Sequence, residues 1–261
     1  MPTLDIKKEF SAIQAQYKAD PRQSTFNALF LGNSGTGKTY SLRTARKPVL
    51  LHSFDPGGSK PLRDEIAKGE IVVDTRFEIE ERRTPTAYNQ WTQEFGRLRA
   101  GGVFEQIGTY ALDSLTLFSD AVTHELLKRM GKPGGQLFKQ DWGVFLVEML
   151  EVIARILNIP CDVIITGHLS YSQDEATGKT MAGVLIGGQS KERVPILFDE
   201  CYITQAKEVS KGIEYKFLTA NTGCFNAKTR IGKGGKFELY EEPNWVGLLK
   251  KAGLPTEDKV T

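Results

Sequence analysis

The chain has 261 residues, 34 basic against 32 acidic for a formal charge of +2, and 40% hydrophobic residues. That length and apolar content suit one large α/β domain or a domain with an appendage, and the charge balance excludes a global field drawing the chain onto nucleic acid. Any such binding has to come from local patches or from assembly.

Cys161, Cys201 and Cys224 are far apart and show no C-x-x-C spacing, which argues against a zinc site or a disulfide framework. Reduced thiols in a cytosol are expected. The polar N-terminus has no apolar signal core, and no run approaches the roughly 18 apolar residues of a membrane span. A soluble cytoplasmic protein without a membrane partner follows as an expectation.

Residues 1–24 read as a helical arm, with packing against the body as its expected role and partner docking as the alternative. Then "FNALFLG", a short apolar run, leads into "GNSGTGKT", in which Gly32, Gly37, Lys38 and Thr39 fit G-x-x-x-x-G-K-[ST]. Glycines in this pattern let backbone N–H groups turn inward around phosphate oxygens. Gly32, Asn33, Ser34, Gly35, Thr36, Gly37, Lys38, Thr39 and Tyr40 are the candidate nucleotide-binding residues, with Lys38 toward the β/γ-phosphates and Thr39 toward Mg²⁺. "KTYSLRTAR" has no breaker and reads as the helix that must follow.

"PVLLHSF", "EIVVD", "GTYALDS" and "CDVIITGH" are further apolar runs alternating with helical stretches, the pattern of a parallel sheet with crossover helices. Thr84-Pro85 reads as a cap and first turn of a helix closing at Gly101-Gly102, and another runs from Ser114 to Gly131. "GKPGGQLFKQ" is a loop and "DWGVFLVEMLEVIARILN" a third helix. After His168 a polar segment reads as a mobile hairpin turning at Thr177-Gly178-Lys179. "ECYITQAKEV" and "IEYKFLTAN" meet at Lys211-Gly212 as an antiparallel extension. An amphipathic helix and a loose tail end the chain, giving an arm at 1–24, a core at 25–236 and a C-terminal segment at 237–261.

Asp113, at the carboxyl end of "TYALD", is placed to hold the Mg²⁺ shell, with helix capping as the competing role. Ser114 follows it, so a water-polarising carboxylate must come from elsewhere, and Asp55 after the second strand is the candidate. An Asx turn competes for Asp55. His168 closes its strand at the crevice outside the carboxyl ends, where it could sense the γ-phosphate, act as a base, or serve structure alone.

Together, "GNSGTGKT", Asp55, "YALDS", "ITGH", "LFDECYIT" and "NAKTRIG" resemble the RecA-like P-loop ATPases of bacteriophages, most closely their single-strand-annealing recombinase branch, over residues 25–232. The resemblance implies a RecA-like α/β NTPase using ATP and Mg²⁺, binding single-stranded DNA as a ring or short filament, with a phage single-strand-binding protein as a further possible partner. It implies DNA contacts from Lys132 and Lys139 in one loop and from Tyr171 and Lys179 in a second. It also implies that Lys228 and Arg230 complete a neighbouring subunit's site; a solvated basic turn is the alternative. Aspartate stands where such proteins carry glutamate after the second strand, and a separate DNA-gathering domain is not expected. A partner-docking loader or packaging switch, and a small-molecule kinase, remain as other classes; the segment after His168 lacks the arginine-rich lid of the latter.

Overall fold

The computed structural model describes residues 5–173, 178–210 and 212–259. In chain order these form α1 (Ile6–Ala19), β1 (Asn27–Leu31), α2 (Lys38–Ser41), β2 (Val49–Ser53), α3 (Arg63–Ala67), β3 (Ile71–Asp74), α4 (Ala87–Ala100), α5 (Val103–Gln106), β4 (Thr109–Asp113), α6 (Leu115–Arg129), α7 (Trp142–Leu157) and β5 (Asp162–Gly167). There follow β6 (Leu169–Gln173), β7 (Thr180–Val184), α8 (Ser190–Leu197), β8 (Glu200–Val209), β9 (Gly212–Leu218), β10 (Tyr240–Glu241) and α9 (Trp245–Ala252). Thr177 and Lys211, expected at hairpin turns, lie outside the described residues.

The main sheet runs β10-β9-β8-β1-β5-β4-β2-β3, and β6 with β7 forms a separate hairpin. From β8 to β3 every pairing is parallel; β9 and β10 are the antiparallel C-terminal extension. This is the expected α/β class, a mainly parallel sheet with flanking helices. All five residues of β4 are buried, and alternation sends Tyr110 and Leu112 to one face and Ala111 to the other. Both faces must be covered, so the strands are apolar throughout rather than alternating.

One face packs against α4, α6 and α7 through Trp91, Phe95, Phe118 and Phe145. The other packs against α2 and α9 through Phe26, Phe30, Leu42 and Trp245. At the amino ends of the strands Arg46 holds buried Asp162 with two bonds, of 2.6 and 2.8 Å.

Four local expectations change. The helix after the phosphate loop has four α residues, then a 3-10 turn to Thr44 with Ala45 extended. The cap of α4 is Thr86 rather than Thr84, and the Glu80 carboxylate accepts the free N–H groups of Thr86 and Ala87 at 3.3 and 3.0 Å. The helix of the arm stands off the core: α1 buries none of its residues, although Ile6, Phe10, Ile13 and Tyr17 form an apolar row, and Arg22 after it donates to Asn158 at 2.6 Å. The tail is tied down, with Lys47 N–H donating to Asp258 and Lys259 N–H to the Lys47 carbonyl. Among the described residues no helix is long and apolar enough to cross a membrane.

Candidate nucleotide site

Parallel strands point their carboxyl ends to one edge, and β1, β2, β4 and β5 each deliver a candidate residue there. Residues 32–37 leave β1 as a loop in which Gly35 and Gly37 adopt φ of 76° and 83°, open to glycine without strain. At Gly32 the demand is space, because a Cβ would stand 2.2 Å from Thr204 Cγ2 and 2.6 Å from Thr36 Oγ1. Lys38 is buried and its Nζ donates to the carbonyls of Gly32 and Asn33 at 3.0 and 2.8 Å. Its ammonium thus sits inside the loop, where it would offset the charge of a bound phosphate.

Thr39 Oγ1 donates to Asp113 Oδ2 at 2.5 Å, and Thr166 on β5 donates to the other carboxylate oxygen. A hydroxyl and a carboxylate held together are the hard oxygen donors that Mg²⁺ takes, so Thr39 and Asp113 fit the role expected of them. Ser114 is fully buried at the start of α6.

Asp55 joins this group. Its N–H donates to the Asp113 carbonyl at 3.2 Å, and Gly58 N–H donates to the Asp55 main-chain carbonyl at 2.8 Å, so the turn is closed by backbone groups and not by the Asp55 carboxylate, and the residue is half-buried. Burial raises the Asp55 carboxyl above its usual range, Asp113 adds to this, and His168 and Lys38 oppose it. Burial likewise lowers the His168 imidazole, helped by Lys38 and opposed by Asp55 and Asp113, and burial lowers the Lys38 ammonium. The four groups feel one another's charge, so one site contains them all. His168 N–H is fixed by Thr116 Oγ1 at 3.1 Å.

The sequence reading missed Thr166 and Glu78. Thr166 was detectable as the polar residue of an apolar strand, two positions before His168. Glu78 gives no such signal, arriving from a loop to accept from Ser53 Oγ at 2.7 Å and Gly57 N–H at 3.2 Å, which braces the turn carrying Asp55.

The family model described as an AAA domain matches residues 25–231. The chain belongs to the AAA domain family. It is an AAA-type P-loop ATPase, and the oxygen donors and lysine of its loop suit a nucleoside triphosphate with a divalent cation. Among curated proteins none matches its sequence. Among solved structures, this AAA domain is similar to a KaiC-like protein from Pyrococcus horikoshii OT3, at 12% identity and TM-score 0.41 over 74% of this chain and 77% of that one. It is also similar to the flagellar accessory protein FlaH from Methanocaldococcus jannaschii, at 11% identity and TM-score 0.42 over 82% and 83%.

The remaining candidates of this AAA domain are not gathered at one place. Lys139 and Tyr171 line one groove of 1120 Å³ between β6–β7, α7 and α8, which Trp142, Lys191 and Lys228 also line. Tyr171, 51% exposed, is hydrogen-bonded to the loop residue Asn33 at 3.2 Å. Lys132 is instead engaged by Asp141 at 3.3 Å and lies over the Phe138 ring. Lys179 lies beside Gly223, where a Cβ would stand 3.3 Å from its Nζ. Arg230 pairs with Asp199 at 2.7 Å, toward the amino ends of the strands, and Lys228 Nζ donates to the Ile196 carbonyl at 3.3 Å. Neither is brought to the nucleotide site of its own chain.

Proposed function

We propose that this AAA domain is an ATP-binding and hydrolysing RecA-like protein that grips single-stranded DNA and acts in phage recombination, repair or replication by annealing strands. The observation that carries this reading is the Tyr171–Asn33 hydrogen bond, because one side chain belongs at once to the groove and to the phosphate loop. The groove offers Tyr171 and Trp142 as exposed rings with Lys139 and Lys191 beside them, the combination that stacks bases and tracks a backbone without reading sequence.

In this mechanism the loop N–H groups and Lys38 bind the phosphates, and Thr39 and Asp113 would hold Mg²⁺, whose charge would offset that of the phosphoryl group. Asp55 accepts the proton of the attacking water, its raised affinity for a proton suiting a base. His168 reports the γ-phosphate to β6, which begins one residue later. In a ring or short filament Lys228 and Arg230 serve the neighbouring subunit's nucleotide, and a phage single-strand-binding protein supplies the substrate. The host cytoplasm is the proposed location.

The test is ATPase rate titrated with single-stranded DNA, read with the mass of the complex. Stimulation together with assembly supports the proposal; a rate indifferent to DNA overturns it. A second reading, a loader or packaging switch that docks a partner, is favoured by the exposed apolar row of α1. Stimulation by a protein partner and not by DNA would select it. Phosphate transfer to a metabolite would instead make the protein a kinase.

A further inference from the structure

The β8–β9 hairpin does not end at the sheet edge. Beyond Thr204, which donates to the Thr36 carbonyl at 2.7 Å, residues 206–210 are exposed and the two strands stand beside the phosphate loop. Phe217 on β9 is buried on the face of the sheet that carries α2 and α9. Tyr215 is two residues earlier and therefore points to the same face, which brings it to the start of α2.

There its ring lies flush against Gly37: a Cβ on that glycine would stand 3.4, 3.7 and 3.9 Å from three Tyr215 ring carbons. Tyr215 is half-buried, and no hydrogen bond occupies its hydroxyl among the described residues. Tyr40, three residues beyond Gly37 and so on a neighbouring row of the helix, is 46% exposed with the Arg43 guanidinium 4.4 Å from its ring centre. Tyr215 packs on the last glycine of the loop, and Tyr40 lies in the first turn of the helix that follows. Nothing in phosphate binding calls for either of them.

We propose that Tyr215 is the stacking wall for the nucleobase, so that the β8–β9 arm makes the site select a nucleotide over a bare polyphosphate. This rests on the nucleotide reading above. A base has a π-face, and stacking on an aromatic side chain is tolerant of base identity. The larger faces of purines gain most from it.

The test is calorimetric titration of ATP and of inorganic tripolyphosphate, both with Mg²⁺, into wild type, Tyr215→Phe, Tyr215→Leu and Tyr215→Ala. Tyr215→Leu keeps the bulk against Gly37 and loses the π-face, and Tyr215→Phe keeps the face and loses the hydroxyl. ATP binding should weaken roughly tenfold in the Leu and Ala variants and stay near wild type in the Phe variant. Tripolyphosphate binding should change less than about twofold in all of them. Equal loss for both ligands would make Tyr215 a prop for the loop, and unchanged ATP affinity would remove it from the site; either overturns the proposal. A wild type that binds neither ligand would instead sink the nucleotide reading itself.

Discussion

Replacing Trp245 tests whether α9 holds the phosphate loop from behind. The indole is fully buried, with ring centres of Phe26, Phe30, Tyr202 and Phe217 at 5.8, 5.1, 6.0 and 5.0 Å. Its Nε1 donates to Ser41 Oγ at 3.0 Å, and that hydroxyl donates to the Lys38 carbonyl at 2.7 Å. Truncating such a residue to alanine costs about 3–5 kcal/mol through lost transfer energy and the cavity left behind. Trp245→Phe keeps much of the ring and loses the hydrogen bond, a cost of about 1–2 kcal/mol. At roughly 2–4 °C per kcal/mol for a domain approaching this size, Tm should fall by about 6–20 °C for alanine and about 2–8 °C for phenylalanine. Urea unfolding and titration with ATP and Mg²⁺ are the paired assays. Since the hydrogen-bond chain ends on the residue carrying the phosphate-binding amine, Trp245→Phe should also weaken ATP about two- to tenfold while still folded at 25 °C. A Trp245→Ala loss below about 1 kcal/mol, or a destabilised Trp245→Phe with unaltered ATP affinity, would refute the reasoning.

Burial lowers His52 from 6.5 to about 4, and the ring is neutral with Tyr110 OH 3.1 Å from its Nδ1. A depressed histidine binds fewer protons folded than unfolded, so stability is full above 6.5 and falls by roughly 3 kcal/mol as pH drops toward 4. His52→Asn, whose amide oxygen can accept from Tyr110, should flatten that limb in urea melts across this range. Asp113→Asn should lose the Mg²⁺-dependent part of ATP affinity, about 10–100-fold, with binding in EDTA unchanged; an intact Mg²⁺ increment would remove Asp113 from the metal site. Asp55→Asn should lower kcat about 10²–10⁴-fold at unchanged ATP Kd. Because the Asp55 carboxyl is raised in the folded state, its ionisation opposes folding above the normal aspartate range, so the same variant should unfold at higher urea at neutral pH. Tyr171→Phe removes the bond to Asn33 and keeps the ring, so DNA binding should persist while ATP no longer changes it; coupling equal to wild type in both directions would exclude the pair as the link.

The phosphate loop, Asp113 and the five strand ends were legible because each is written locally. Glycine positions, an apolar run of five or six residues and a terminal carboxylate need no distant partner to be recognised. Asp55 and His168 could be proposed on the same ground, since a parallel sheet sends every strand's carboxyl end to one edge. What they touch was not legible, because Thr166 and Glu78 reach Asp113 and the Asp55 turn from 53 and 23 residues away along the chain.

The short helix after the loop shows the limit of local propensity: its residues allow continuation, yet the chain turns extended at Ala45 on its way to β2. The arm shows the converse, a correct helix whose surroundings its amphipathic row could not foretell. By itself, then, the sequence determined the fold class and the phosphate-binding chemistry, since periodicity and glycine spacing are short-range properties of the chain. Only the tertiary structure decided that Tyr171 and Tyr215 stand at the phosphate loop and that Lys228 and Arg230 stand away from it, because those distances depend on strand order and register, which the whole sheet sets.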